Sequence, residues 1–299
     1  MAEPALSIPA TGCTAQVDIH VNLSYSLSHY LVRQGMESPA EQDPATAPAA
    51  ERAALARHPR GVHDIWDEWE VPVASATTLG DAISGLRSRM NQTVDTLASA
   101  MGEVEVEFRE RLWPERQPAI AAALGTLREV VAPRFAEMAR RQAAMLDLIW
   151  PNRIDAYLVT DCYDWRGAYS HPLTIDVTAN VGLTLCETFL HEATHVADVY
   201  TMQRGHRSLS SRLSDGLGEM GISRPAVWNV WHAIIFAASA QQVRTFIEPA
   251  HADYATEHGL YEDFGVPDLP GLWTAFTEGS LDEVAFLGEV AQRTRGRVT

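Results

Sequence analysis

No lysine occurs in this chain of 299 residues, so all 23 of its Lys and Arg positions are arginine. Chemistry that needs a lysine amine is therefore excluded: Schiff-base catalysis, attachment of pyridoxal phosphate, and the phosphate-gripping lysine of a P-loop. Cysteine is scarce. Cys13, Cys162 and Cys186 are an odd number at spacings that suit neither a disulfide framework nor a zinc ribbon, and reduced thiols are expected, with Cys186 in the core. Positive charge is also short. The 39 acidic residues leave a net charge of −16 at pH 7, and the isoelectric point is near 5.0. Nucleic acid and anionic membranes demand a basic footprint that is missing here, which leaves a peptide or small-molecule substrate by elimination. Long apolar runs are absent too: none approaches the roughly 20 residues of a spanning helix. The start Met1-Ala2-Glu3-Pro4 has neither the basic region nor the apolar segment of a secretory signal. The expectation is a cytoplasmic protein with no membrane partner.

What the chain does have is a 46% hydrophobic content with 21% charged residues, ample for a sizeable core in one large domain or two modest ones. One pentapeptide carries chemistry: His191-Glu192-Ala193-Thr194-His195. At about 100° per residue, two histidines four apart sit roughly 40° from each other on a helix, so both can reach one cation. Glu192 points away from that cation yet stays near enough to take a proton from water held there, the division of labour that metal-activated hydrolysis requires. With 11 histidines in the chain, such a match arises by accident only about 0.03 times.

Gly182 to Met202 reads as a single helix with apolar faces from Leu183, Leu185, Phe189, Leu190, Val196 and Val199. Few charges line it, so it is expected to be buried, where titratable groups need partners or a metal. A second buried helix is expected from about Pro225, capped by Ser223, to before Pro249; it is apolar nearly all round, with His232 in its middle.

The fold expected from the remaining pattern is mostly α, of α+β class. Residues 1–150 read as a helical N-terminal region and 151–299 as the metal-binding region, with one continuous domain as the alternative. In the first half, helical spacing runs over Val17 to Gln34, Thr78 to Met101 and Pro118 to Ile149, with Pro114 and Pro118 interrupting the chain. Ser38 to Ala50, rich in Pro, Ala, Glu and Gln, reads as a surface loop or a short disordered insert, and Trp66 and Trp69 as half-buried anchors. In the second half, strands are expected at Arg153 to Val159 and Leu173 to Thr178, with a turn containing Gly167 between them. Ser208 to Gly221 reads as a polar connection. A last amphipathic helix lies around Leu281 to Val290.

Catalytic zinc takes three protein ligands and leaves one position for water, so the histidine pair needs a third partner. His232 is the first choice, because a buried imidazole needs a polar partner; Glu219 and Glu248 are rivals. Asp198 shares the face of the histidines but suits an outer acceptor, fixing a ring or packing a neighbouring helix, more than a direct ligand. Tyr254 is a candidate to donate a hydrogen bond to a developing oxyanion, and His206, His251 and His258 could fill the same role.

Strand, strand, a helix with His-Glu-x-x-His and a later buried helix resemble the zincin tribe of metallopeptidases over Asp155 to about Phe264. The resemblance implies that His191 and His195 bind zinc and that Glu192 is the general base. The extended metzincin motif is missing, since Asp198 holds its glycine position and Thr201 its last histidine. The chain is more similar to uncharacterised bacterial zincin-like proteins, through Leu190 to Asp198, Trp231-His232-Ala233-Ile234-Ile235-Phe236 and Val243-Arg244. Those proteins carry a glutamate where Gln241 stands here. Residues 232 and 241 fall on opposite faces of a helix, so they cannot serve one metal together. Three functions follow from these expectations. The first is a zinc hydrolase of an amide in a peptide or peptide-like metabolite. The second is an iron-dependent, non-hydrolytic tailoring enzyme of a biosynthetic pathway using Fe2+ at the same site. The third is a catalytically silent zincin-like binding module.

Overall fold

The computed structural model describes residues 4–10, 15–36, 66–88, 92–162 and 167–295. Cys13 and the expected loop Ser38 to Ala50 lie outside these ranges. The protein is mostly helical, at 67%, with a short mixed five-stranded sheet, which places it in the α+β class. Among the described residues, no helix is long and apolar enough to cross a membrane. Two compact units divide the chain, each built from separated segments: Met1–Ser7, Val17–Thr126 and Asp155–Val181 in one, Ile8–Gln16, Leu127–Ile154 and Gly182–Thr299 in the other.

The first unit centres on the sheet. Its strands are β1 (Leu6–Ile8), β2 (Gln16–Val21), β3 (Arg153–Val159), β4 (Ala168–Ser170) and β5 (Leu173–Asp176), in the order β1-β2-β3-β5-β4. β3 and β5 are parallel, with Ala156 opposite Leu173 and Val159 opposite Asp176, while β4 runs antiparallel on β5. The expected turn between β3 and β5 therefore contains a strand. Gly167 opens it at φ +73°, where a Cβ would come within 2.8 Å of Ala179 Cβ, so only glycine fits. β5 ends two residues earlier than expected. The Asp176 carboxylate accepts from the Cys162 and Thr178 N–H groups, both at 2.8 Å, which turns the chain.

Residues 17–21 are a strand and not the start of a helix, so the N-terminal half is not all-helical. Val17, Ile19 and Val21 are β-branched at alternate positions, and here the period of two wins over the longer helical spacing. Asn22 then begins the helix by accepting from Tyr25 N–H at 3.1 Å. Helices α1 (Leu23–Met36), α2 (Trp66–Ser75), α3 (Leu79–Arg87), α4 (Gln92–Glu107) and α5 (Trp113–Thr126) complete the unit. Thr78 and Asp81 form a capping box at the start of α3. Trp69 is fully buried and not half-buried. Pro114 and Pro118 do not interrupt the chain either. A π turn over Phe108–Leu112 joins α4 to α5, and α5 continues with Pro118 inside it.

The second unit is helical: α6 (Phe135–Leu146), α7 (Gly182–Gln203), α8 (Leu209–Glu219), α9 (Arg224–Phe246), α10 (Tyr254–Glu257), α11 (Leu260–Asp263), α12 (Leu269–Thr277) and α13 (Glu283–Arg295). α8 occupies the expected polar connection. Leu209, Leu213 and Leu217 recur every four residues and bury a narrow stripe that the serines and glycines around them obscure. α12 is likewise an unexpected helix. α9 is apolar nearly all round because α6, α7, α8, α10 and α12 all pack against it.

Candidate metal centre

α7 holds the motif in its middle. Leu185 to Asp198 are buried except Val196, so the helix carries its polar side chains into the interior and must satisfy them there. Thr194 Oγ1 donates to the Leu190 carbonyl at 2.7 Å and accepts from Gln142 Nε2 of α6 at 2.6 Å. The Thr201 hydroxyl accepts from Ile149 N–H at 2.8 Å. These bonds fix the rotation of α7 about its own axis.

That rotation aims His191 and His195 the same way. Their Nε2 atoms stand 3.2 Å apart, and α9, packed alongside, brings His232 Nε2 to 3.4 Å from that of His195. The three ligand atoms lie within 4.8 Å of one another and could hold a metal ion. A tetrahedral ion bonded to nitrogens at roughly 2.0–2.1 Å spaces them about 3.3–3.4 Å apart, which the two shorter separations match. One ring nitrogen facing two others is ill suited to hydrogen bonding, since each contact needs a proton on only one side; a shared cation satisfies all three lone pairs together. The residues therefore fit such a group. Glu192 Oε1 lies 4.0 Å from His191 Nε2, and this carboxylate is only 7% exposed.

Asp198 lies outside the trio: its carboxylate accepts from the Ser208 and Ser210 hydroxyls, at 2.7 Å each, and so ties α7 to the start of α8. Burial raises its pKa above the ordinary carboxylate value, against the lowering effect of those bonds. Glu219 and Glu248 are exposed, Glu248 accepting from Ala250 N–H at 3.1 Å. Gln241 accepts from Trp273 Nε1–H at 3.0 Å. His206 is exposed and bonded to Asp147 at 3.1 Å. Tyr254 stacks on Phe236, ring centroids 5.7 Å apart, and on His258 at 4.1 Å. Phe236 in turn lies 3.9 Å from the His191 ring.

Two features escape the sequence reading. Glu187, one turn before His191 and fully buried, bonds His251 Nε2 at 2.6 Å and accepts from Tyr254 N–H at 3.1 Å. It anchors the segment that carries Tyr254. Burial raises its pKa, opposed by those bonds. A carboxylate four residues before His191 on an otherwise apolar helix was the available signal. The second feature is a set of rings around the histidines: Trp228 stacks on His195 at 5.8 Å, and Phe264 on His232 at 5.8 Å. Trp228, His232 and Phe236 recur every four residues along α9, a stripe open to a core reading as well.

Fold and site together define a mostly helical α+β protein bearing three histidines able to hold a metal ion. Compared with protein-family models, with curated proteins and with solved structures, the chain matches none.

Proposed function

We propose that this chain is a metal-dependent hydrolase that cuts an amide bond in a peptide or peptide-like metabolite, with zinc as the ion. The observation that carries the reading is the spacing of the His191, His195 and His232 nitrogens beside the Glu192 carboxylate. A zincin-like lineage and a cytoplasmic location belong to the same proposal, on the motif and the composition respectively.

Bound zinc would supply a Lewis acid that polarises a carbonyl and acidifies water. His191, His195 and His232 would hold it as neutral imidazoles, a donor set that suits zinc. Glu192 takes the proton from water as the oxygen attacks the amide carbon, then delivers it to the departing amine nitrogen. Because Glu192 is almost wholly buried, bulk water competes little for that proton. Tyr254, stacked on Phe236 beside His191, is assigned the hydrogen bond to the amide oxygen as charge builds there.

Metal analysis of anaerobically purified protein, followed by a peptide-library cleavage assay read by mass spectrometry, tests the reading. Glu192→Gln should retain one equivalent of zinc and lose about 10²–10⁴-fold in turnover. Cleavage by that variant at the wild-type rate would reject the mechanism, and stoichiometric iron with oxygen consumption would replace hydrolysis by oxidative chemistry.

A further inference from the structure

The rings around the three histidines form two walls. His191, His232, Phe236, Phe264 and Tyr254 lie nearly parallel in sequence of contact, with interplanar angles of 25°, 21°, 30° and 15° for His191–His232, His232–Phe236, His232–Phe264 and Phe236–Tyr254. His195 and Trp228 form the other wall, 25° from each other. The walls are steeply inclined, at 69° between His195 and His232 and 90° between Trp228 and His232. They meet where the Nε2 atoms converge.

Trp228 is the outermost member of the second wall. An isolated exposed apolar residue means little. Here, however, an indole lies against a candidate metal ligand while 54% of it remains uncovered, and among the described residues it is the one aromatic side chain with large exposure. Beyond the three histidines, the rings nearest them on these walls are uncharged, Trp228, Phe236, Phe264 and Tyr254, and His258 stacks on Tyr254 at the far end of the first wall. Such a surface gains by covering a flat apolar group in an offset stack and offers no counter-charge to a carboxylate.

We infer that the residue this site receives beside the reacting bond is an uncharged aromatic one, seated on Trp228; the inference rests on the amide-hydrolase reading and narrows its substrate class. Stacking on the indole continues the wall outward from His195, and the reacting amide then falls at the corner where the histidine nitrogens and Glu192 stand.

The test uses zinc-loaded protein and three hydroxamates that share one metal-binding group: acetohydroxamate, the hydroxamate of N-acetylphenylalanine and that of N-acetyllysine. Affinities are measured by calorimetry. The phenylalanine probe should bind at least about ten-fold tighter than acetohydroxamate. That ratio should fall towards one in Trp228→Ala and be largely kept in Trp228→Phe. A lysine probe equal to or tighter than the phenylalanine probe would overturn the inference in favour of a cation-binding wall. A ratio unchanged in Trp228→Ala would remove Trp228 from the site. The comparison on the wild-type protein stands whether or not the alanine variant folds. If acetohydroxamate binds without any aromatic preference, only this inference falls; if it does not bind the zinc-loaded protein at all, the hydrolase reading falls with it.

Discussion

Truncating His232 is the perturbation that bears most directly on the metal centre, because its place beside the other two histidines depends on the packing of two helices. An ion that binds the folded protein and not the unfolded chain stabilises by RT ln(1 + [L]/Kd), about 2.7 kcal/mol at a hundred-fold excess over Kd. In a unit of this size each kcal/mol moves the melting temperature by roughly 2–4 °C, so zinc should raise it by about 5–10 °C. Losing an outer hydrogen-bond partner of a metal ligand already weakens binding by up to roughly 100-fold, and losing a ligand should weaken it at least as much. At the same zinc concentration His232→Ala would then retain about 0.4 kcal/mol, a rise of roughly 1 °C. Scanning calorimetry of metal-stripped protein, with and without zinc, measures both. His206→Ala is the control: that imidazole is exposed and bonded to Asp147, outside the trio, and the full zinc response should survive its loss. A wild-type zinc response in His232→Ala would refute the three-ligand reading, as would the absence of any response in the wild-type protein.

Further outcomes concern the helices that aim the histidines. Gln142→Leu removes the donor to Thr194 and to Ser239, at 2.6 and 3.2 Å, and should cost about 1–3 kcal/mol in urea unfolding; a cost near zero would mean that this bond does not hold α7 in place. Burial raises the pKa of Asp198 above 3.8 and that of Glu187 above 4.5. Just above those values the folded state binds more protons than the unfolded chain, so stability should fall as pH rises through that window. Asp198→Asn should flatten part of that fall, measured as urea midpoints from about pH 4 to about pH 7, and an identical slope would contradict the assignment. Burial also pushes the Cys186 thiol up to about 12. Iodoacetamide at pH 8 should therefore leave Cys186 intact in the native protein and modify it after unfolding, as read by peptide mass mapping; rapid native labelling would show that the residue is accessible.

Long apolar helices were the most legible elements. α7 and α9 fall within a residue or two of their expected bounds, and β3 matches residue for residue, because their patterns are sustained and punctuated by glycine, serine or proline. Weak signals gave way to context. α8 was hidden because only three leucines mark its buried stripe, and β2 because six residues of strand adjoin a helix whose spacing extends back over them. The π turn before Pro114 has no recognisable sequence signature.

The site divides in the same manner. That His191 and His195 share a face follows from four residues of helix, a local geometry which no tertiary contact need supply. His232, 37 positions beyond His195, was one option among several carboxylates, since nothing in its neighbours states which helix it will meet. Packing of α9 against α7 brings it to the pair, setting His232 Nε2 at 3.4 Å from His195 Nε2 and leaving Glu219 and Glu248 exposed. The ring walls likewise arise only from assembly, because Phe264 reaches His232, and Tyr254 reaches Phe236, from separate turns and helices whose stacking no periodicity along the chain encodes.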